Sequence, residues 1–172
     1  SLIFSLTAQV NNPSWSEAYV QDEVPKIEVS IDPADLNWLM VDSNLMKDEY
    51  QEVSFIYTDS HGNPHSFTGA GLRLRGNTSR YAQKKSFKLH MEKFGGEDLF
   101  YDLEKINLKG SHNDPSIIRE RLAYYFMREM GGATPRVNNL ALYINNEYRG
   151  LYVNIEQIDN EFMKMRFGNK SG

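Results

Sequence analysis

Hydrophobic and polar residues alternate with a period of two through most of this chain. Over residues 24–31, Ile27, Val29 and Ile31 alternate with Lys26, Glu28 and Ser30, the pattern of a half-buried strand. Residues 50–58, 66–75, 84–91, 105–109, 139–145 and 148–157 read as further strands, the last two forming a hairpin around Asn145-Asn146-Glu147. Helical spacing takes over in three places. Asp32-Pro33 opens a helix with Leu36, Leu39 and Met40 on one face. Asp114-Pro115-Ser116 opens the longest, residues 114–130, which stops at Gly131-Gly132. Its Ile118, Leu122, Tyr125 and Phe126 recur at helical intervals and are expected to lay one apolar stripe on a core. Asp159 caps a final segment carrying Phe162, Met163 and Phe167. The order of elements predicts an α+β fold, a twisted antiparallel sheet with one long packed helix.

Composition narrows the classes. A chain of 172 residues, 40% hydrophobic and with ten Tyr and nine Phe, can build one core, and it contains no apolar run long enough to span a membrane. The absence of cysteine removes disulfides, thiolate metal sites and cysteine nucleophiles together. Residues 1–23 read as an N-terminal extension. Its Ser-Leu-Ile-Phe-Ser-Leu-Thr-Ala start fits either the tail of a secretory signal, which would place the protein outside the cytoplasm, or an edge strand. Residues 24–167 then form the folded unit, and residues 168–172 read as a linker to a C-terminal lobe of the same polypeptide.

The net charge of -4 conceals two unlike halves. Residues 1–70 carry eleven acidic and two basic side chains, whereas residues 71–172 carry twelve acidic and seventeen basic. Between Arg73 and Lys93 there are seven basic side chains and one acid, Glu92, so this block is where an anion would concentrate. The acidic whole and the lack of a recognised module argue against nucleic acid as partner.

Within that block, Arg75-Gly76-Asn77-Thr78-Ser79 is a turn of free backbone donors and hydroxyls, flanked by Arg73 and Arg80. The spacing is not that of a Walker loop, and an ordinary polar hairpin has the same composition. In the next strand, pleat parity places Lys85 with Phe87, Leu89 and Met91, where an ammonium needs an anionic partner or must snorkel at the strand end. Arg119 and Glu120 stand at the start of the long helix, and two arginines there, Arg119 and Arg121, oppose the helix dipole and call for specific partners. The four histidines form no ligand set by spacing, and no hydrolase elbow or zinc-protease motif is present.

Four blocks in order, Leu72-Arg73-Leu74-Arg75-Gly76-Asn77-Thr78-Ser79, Lys84-Lys85-Ser86-Phe87-Lys88-Leu89, residues 114–124 and residues 141–159, resemble the spore coat protein H (CotH) kinase family of atypical protein kinases. The resemblance implies an atypical protein-kinase small lobe. In it Arg75, Gly76, Asn77, Thr78 and Ser79 would cover the nucleotide, Lys85 would grip its phosphates, Arg119 or Glu120 would be the helix partner, and Glu156 would lie near the adenine edge. It further implies ATP and a divalent cation, Mg or Mn, for the full-length protein, and a secreted or coat protein as substrate. The metal-holding and hydroxyl-orienting side chains of such a kinase come from beyond the hinge, so residues 1–172 alone are expected to be inactive. The alternative is a non-catalytic module of the cell envelope or spore coat that binds through a basic face.

Overall fold

The computed structural model of the protein describes residues 10–168. Its strands are β1 (Lys26–Ile31), β2 (Gln51–Thr58), β3 (Pro64–Leu74), β4 (Phe87–His90), β5 (Lys105–Lys109), β6 (Val137–Ile144) and β7 (Glu147–Glu156). Three short helices accompany them, α1 (Pro33–Met40), α2 (Arg119–Glu129) and α3 (Asn160–Phe167). The signal-or-strand alternative for residues 1–8 lies outside the described residues. No helix among the described residues is long and apolar enough to cross a membrane.

The strands pair in the order β1-β2-β3-β4-β5-β7-β6 and close into a barrel. Closure comes from β1 lying parallel to β6, in register from Lys26 opposite Ala141 to Val29 opposite Ile144. Asn145 extends this seam with its side chain, accepting from the Ile31 amide at 2.9 Å and donating to the Ile31 carbonyl at 2.9 Å. The expected twisted antiparallel sheet of an atypical protein-kinase small lobe is therefore overturned, because the sheet is mixed and closed on itself. The strands themselves fall where alternation put them, but alternation is local, and the parallel seam joins segments more than a hundred residues apart.

Alternation also decides which side chains fill the barrel. Ile27 and Val29 of β1, Phe55 and Tyr57 of β2, Leu72 and Leu74 of β3, Phe87 and Leu89 of β4, Ile106 and Leu108 of β5 and Leu140 and Leu142 of β6 are all buried in one cluster, with Leu39 of α1 joining it. Burying each such side chain contributes about 1.5–3 kcal/mol. Asp32 caps α1 by accepting from the Ala34 amide at 2.7 Å, and Asp159 caps α3 through the amides of Glu161 and Phe162, as the Asp positions predict.

At one end of the barrel the interior turns polar. Asn138 and Asn154 face each other across β6 and β7, and the Asn154 amide donates to Asn138 Oδ1 at 3.1 Å and to the Ala18 carbonyl at 2.9 Å. One pair further, Glu156 accepts from the Arg136 guanidinium at 2.7 Å and from Arg166 of α3, whose guanidinium also donates to the Thr134 carbonyl at 2.6 Å. Glu156 is 2% exposed. This triad ties α3 to the end of β7 and plugs the barrel.

The long helix departs most from expectation. It shortens to α2, because residues 114–118 form turns in which Ile117 has φ +53° and Asp114 accepts from the amides of Ser116 and Arg119. No residue of α2 is buried, and Leu122, Phe126 and Met130 just beyond it are 47%, 57% and 78% exposed. The apolar stripe points away from the barrel. The side facing the barrel carries Glu120, Arg121, Tyr124 and Arg128 instead. Arg121 donates to the Gln21 carbonyl and, at 3.3 Å, to Asn139 Oδ1, while Arg128 donates to the Pro13 carbonyl and lies 4.6 Å from the Trp15 ring. Tyr124, with Ile117 and Trp15, covers the small outer cluster of Val137, Val153 and Ile155. The expected packing of one long helix by its apolar face is thus replaced by a short helix held through polar contacts.

Candidate functional site

The outer faces of β3, β4 and β5 form a basic surface bounded by α2. Since Leu72, Leu74, Phe87, Leu89, Ile106 and Leu108 point inward, pleat alternation turns Arg73, Arg75, Lys88, Lys105, Asn107 and Lys109 outward. Lys109, at the end of β5, forms an ion pair with Glu120 in the first turn of α2. The second oxygen of that carboxylate, Oε2, is buried without a hydrogen-bond partner among the described residues. Lys109 and Glu120 line a pocket with Ser111, His112 and Asp114.

Arg75, on the same outward face, feels the charge of Glu120. Burial pulls its guanidinium below the ordinary arginine range, opposed by the Glu120 carboxylate nearby. Burial likewise lowers Lys88, assisted by Arg73, Arg75 and Lys105 and opposed by Asp159. Field and desolvation act together here because several cations share one face with few carboxylates.

The turn over residues 75–79 is built by its glycine and its arginines. Gly76 has φ +96°, and a Cβ there would lie 2.0 Å from Ser79 Oγ, so another residue would strain the backbone and displace Ser79. Residues Thr78–Arg80 form a single 3-10 turn. Arg80 anchors it from beneath, donating to the carbonyls of Gly76 at 2.7 Å and Leu45 at 3.0 Å and pairing with Asp48. Asn77 and Thr78 remain exposed. Hydrogen bonding to Arg80 first, and the Arg73 and Arg80 charges with it, hold the Asp48 carboxyl below the usual range.

Of the residues singled out in the sequence, Arg75, at the start of the 75–79 turn, lies within the electrostatic reach of Glu120. The structure leads Lys85 elsewhere. Lys85 precedes β4, which starts at Phe87, and its ammonium donates to the Arg80 carbonyl at 2.6 Å. Arg119 is directed to Asp114 at 3.8 Å with its side chain 70% exposed. Glu156 is inside the barrel end, bonded to Arg136 and Arg166 rather than open to a ligand. Lys109 was missed by sequence reasoning. The available signal was that β5 is the strand before α2, with Lys109 at its outward-facing end. Among the described residues no three His, Asp or Glu side chains converge to hold a metal ion, so the divalent cation implied by the resemblance finds no ligand set there.

Comparison with known proteins agrees with the four sequence blocks. The chain is 27% identical over 95 residues to the inner spore coat protein H of Bacillus subtilis (strain 168), a match that covers 55% of this chain and 25% of the relative. It is 35% identical over 77 residues to the inner spore coat protein H-like protein of the same organism, covering 44% of this chain and 23% of the relative. The chain thus spans about a quarter of the length of these relatives. The model of the CotH kinase protein family matches residues 72–172, which begin within β3 and take in the basic face, Lys109 and α2; with more than half of its length matched, the chain belongs to the CotH kinase protein family.

Proposed function

We propose that this chain is the nucleotide-binding part of a CotH-family protein kinase that works at the spore coat or elsewhere outside the cytoplasm and takes ATP as its phosphate donor. The observation that carries this reading is the Lys109–Glu120 pair, a lysine at the end of a strand joined to a glutamate of the following helix. Protein kinases require such a strand-lysine and helix-glutamate pair for phosphoryl transfer, because the carboxylate fixes the ammonium where it meets the phosphates. In this chain Lys109 takes the role that pleat parity had offered to Lys85, and Glu120 is its helix partner. Arg75 and the Arg75–Ser79 turn would close on the same phosphates, with a charged guanidinium and free backbone amides as donors. The secreted or coat-protein substrate belongs to the same proposal, supported by the names of the two relatives.

A second reading has an observation of its own. The cations lie on the outside of a closed barrel, where a non-catalytic coat module could bind an anionic polymer without any nucleotide. Calorimetric titration of ATP into the full-length protein separates the two. Lys109→Met is expected to weaken ATP binding at least tenfold and to abolish transfer of radiolabelled γ-phosphate to protein, while Lys85→Met leaves nucleotide affinity unchanged. ATP affinity equal to wild type in Lys109→Met would overturn the nucleotide reading.

A further inference from the structure

The basic face holds more cation than the Lys109–Glu120 pair accounts for. Arg73 of β3 and Lys88 of β4 are direct partners in the antiparallel ladder, and both point outward. Like charges directly opposite on neighbouring strands destabilise a sheet. Lys88 in turn faces Asn107 of β5, two residues from Lys109, and Arg75 lies two residues beyond Arg73 on the same face. Neighbouring strands are about 4.8 Å apart and same-face residues about 6.7 Å apart, so Arg73, Arg75, Lys88 and Lys109 occupy a patch the size of a short polyphosphate.

The protein neutralises this patch incompletely. Arg73 gives one nitrogen to Asp48 at 2.6 Å and to the Leu74 carbonyl at 2.9 Å, while its Nε is buried with no hydrogen-bond partner among the described residues. The side chains of Arg75 and Lys88 make no hydrogen bond or ion pair to the described residues, although both are half-buried. Two carboxylates, Asp48 and Glu120, thus pair directly with only two of these four cations, Arg73 and Lys109.

We infer that Arg73, Arg75 and Lys88 form a polyphosphate subsite that recognises the charged phosphate chain and not the nucleobase. This deepens the nucleotide-phosphate reading proposed above and rests on it for the identity of the natural ligand. Three cations around one chain of phosphates supply charge-assisted hydrogen bonds that are indifferent to what the chain carries, so inorganic triphosphate is a ligand in its own right. The opposed charges of Arg73 and Lys88 are then tolerated because the ligand lies between them.

The test titrates inorganic triphosphate, ATP and adenosine into the full-length protein and into Lys88→Gln, Arg75→Gln and Lys26→Gln, the last a surface control paired with Glu28 on β1. Wild type is expected to bind triphosphate within about tenfold of ATP, and adenosine at least a hundredfold more weakly. Lys88→Gln and Arg75→Gln should each weaken triphosphate and ATP by about tenfold to a hundredfold, as loss of a charge-assisted contact predicts. Removing one of two opposed charges should also leave Lys88→Gln at least as heat-stable as wild type, which a purely structural lysine would not do. Failure of triphosphate to bind, or equal binding in Lys88→Gln and wild type, would overturn the subsite. ATP binding that depends on Lys109 but not on Lys88 sinks the subsite and leaves the nucleotide reading standing. Triphosphate binding that depends on Lys88, with no gain from the adenosine of ATP and no phosphoryl transfer, upholds the subsite and sinks the nucleotide reading.

Discussion

The barrel and α2 solve the same problem in opposite ways. In the barrel, alternating apolar side chains turn inward and hide from water, and the ladder bonds follow. In α2 the apolar stripe faces outward, and the helix is held by Glu120, Arg121, Tyr124 and Arg128 on its other side. A barrel strand cannot be rotated without exposing its whole row. A helix attached by a few charged contacts can shift by small amounts at little expense, and Glu120, the partner of Lys109, rides on it. The difference teaches that the candidate site sits where the fold is held by polar contacts rather than by its core.

The sharpest test of the barrel strikes its polar end. Glu156→Gln leaves Arg136 and Arg166 buried with the one counter-charge they share gone, and should destabilise the protein by about 3–5 kcal/mol in chemical unfolding. A change below about 1 kcal/mol would show that the triad is wet and that α3 is not locked to β7. The core and the helix can next be compared with one chemistry. Leu72, at 0% exposure, should lose about 2–5 kcal/mol on replacement by alanine. Leu122, at 47% exposure, should lose about 0.5 kcal/mol or less. Equal losses at the two positions would mean that the stripe of α2 is covered in solution and would erase the contrast.

Acid provides the mildest test. Asp114 holds the entry to α2 by accepting from Ser116 Oγ and from the amides of Ser116 and Arg119, and these bonds keep its carboxyl below the usual range. A depressed pKa means that the turn is fully supported above the ordinary aspartate value of about 3.9 and loses this support as pH falls through the lower folded value. The amide resonances of Ser116 and Arg119 should therefore titrate together with a midpoint below 3.9, while the Asn154 amide inside the barrel stays still. A midpoint at or above 3.9, or the same titration in Asp114→Asn, would remove Asp114 from this role.

Much of this was legible in the residues. Period-two alternation located all seven strands to within a few positions, because burial on one face of a pleat is a local demand. Asp32 and Asp159 announced their helices for the same reason, since a cap needs only the next two or three amides. The CotH blocks pointed to the family, the basic block to one outward face of the barrel, and Glu120 was among the candidates. Lys85 lies two residues upstream of where β4 begins, so strand parity does not by itself decide where its ammonium goes, and it donates to the Arg80 carbonyl. Glu156 reads as one more polar residue near a strand end, and only its neighbours Arg136 and Arg166, distant in sequence or on another element, make it part of an interior triad.

The sequence by itself determined where each strand and cap lies, which side chains of each strand turn inward, and that one half of the chain carries an excess of positive charge. Those properties depend on neighbours within a few residues. Only the tertiary structure decided that β1 returns alongside β6 to close a barrel, that α2 turns its charged side and not its apolar side to that barrel, and that Lys109 meets Glu120. A pattern of apolar and polar positions states that two faces differ, but which face is covered depends on the surfaces brought against it, and those come from segments far away along the chain.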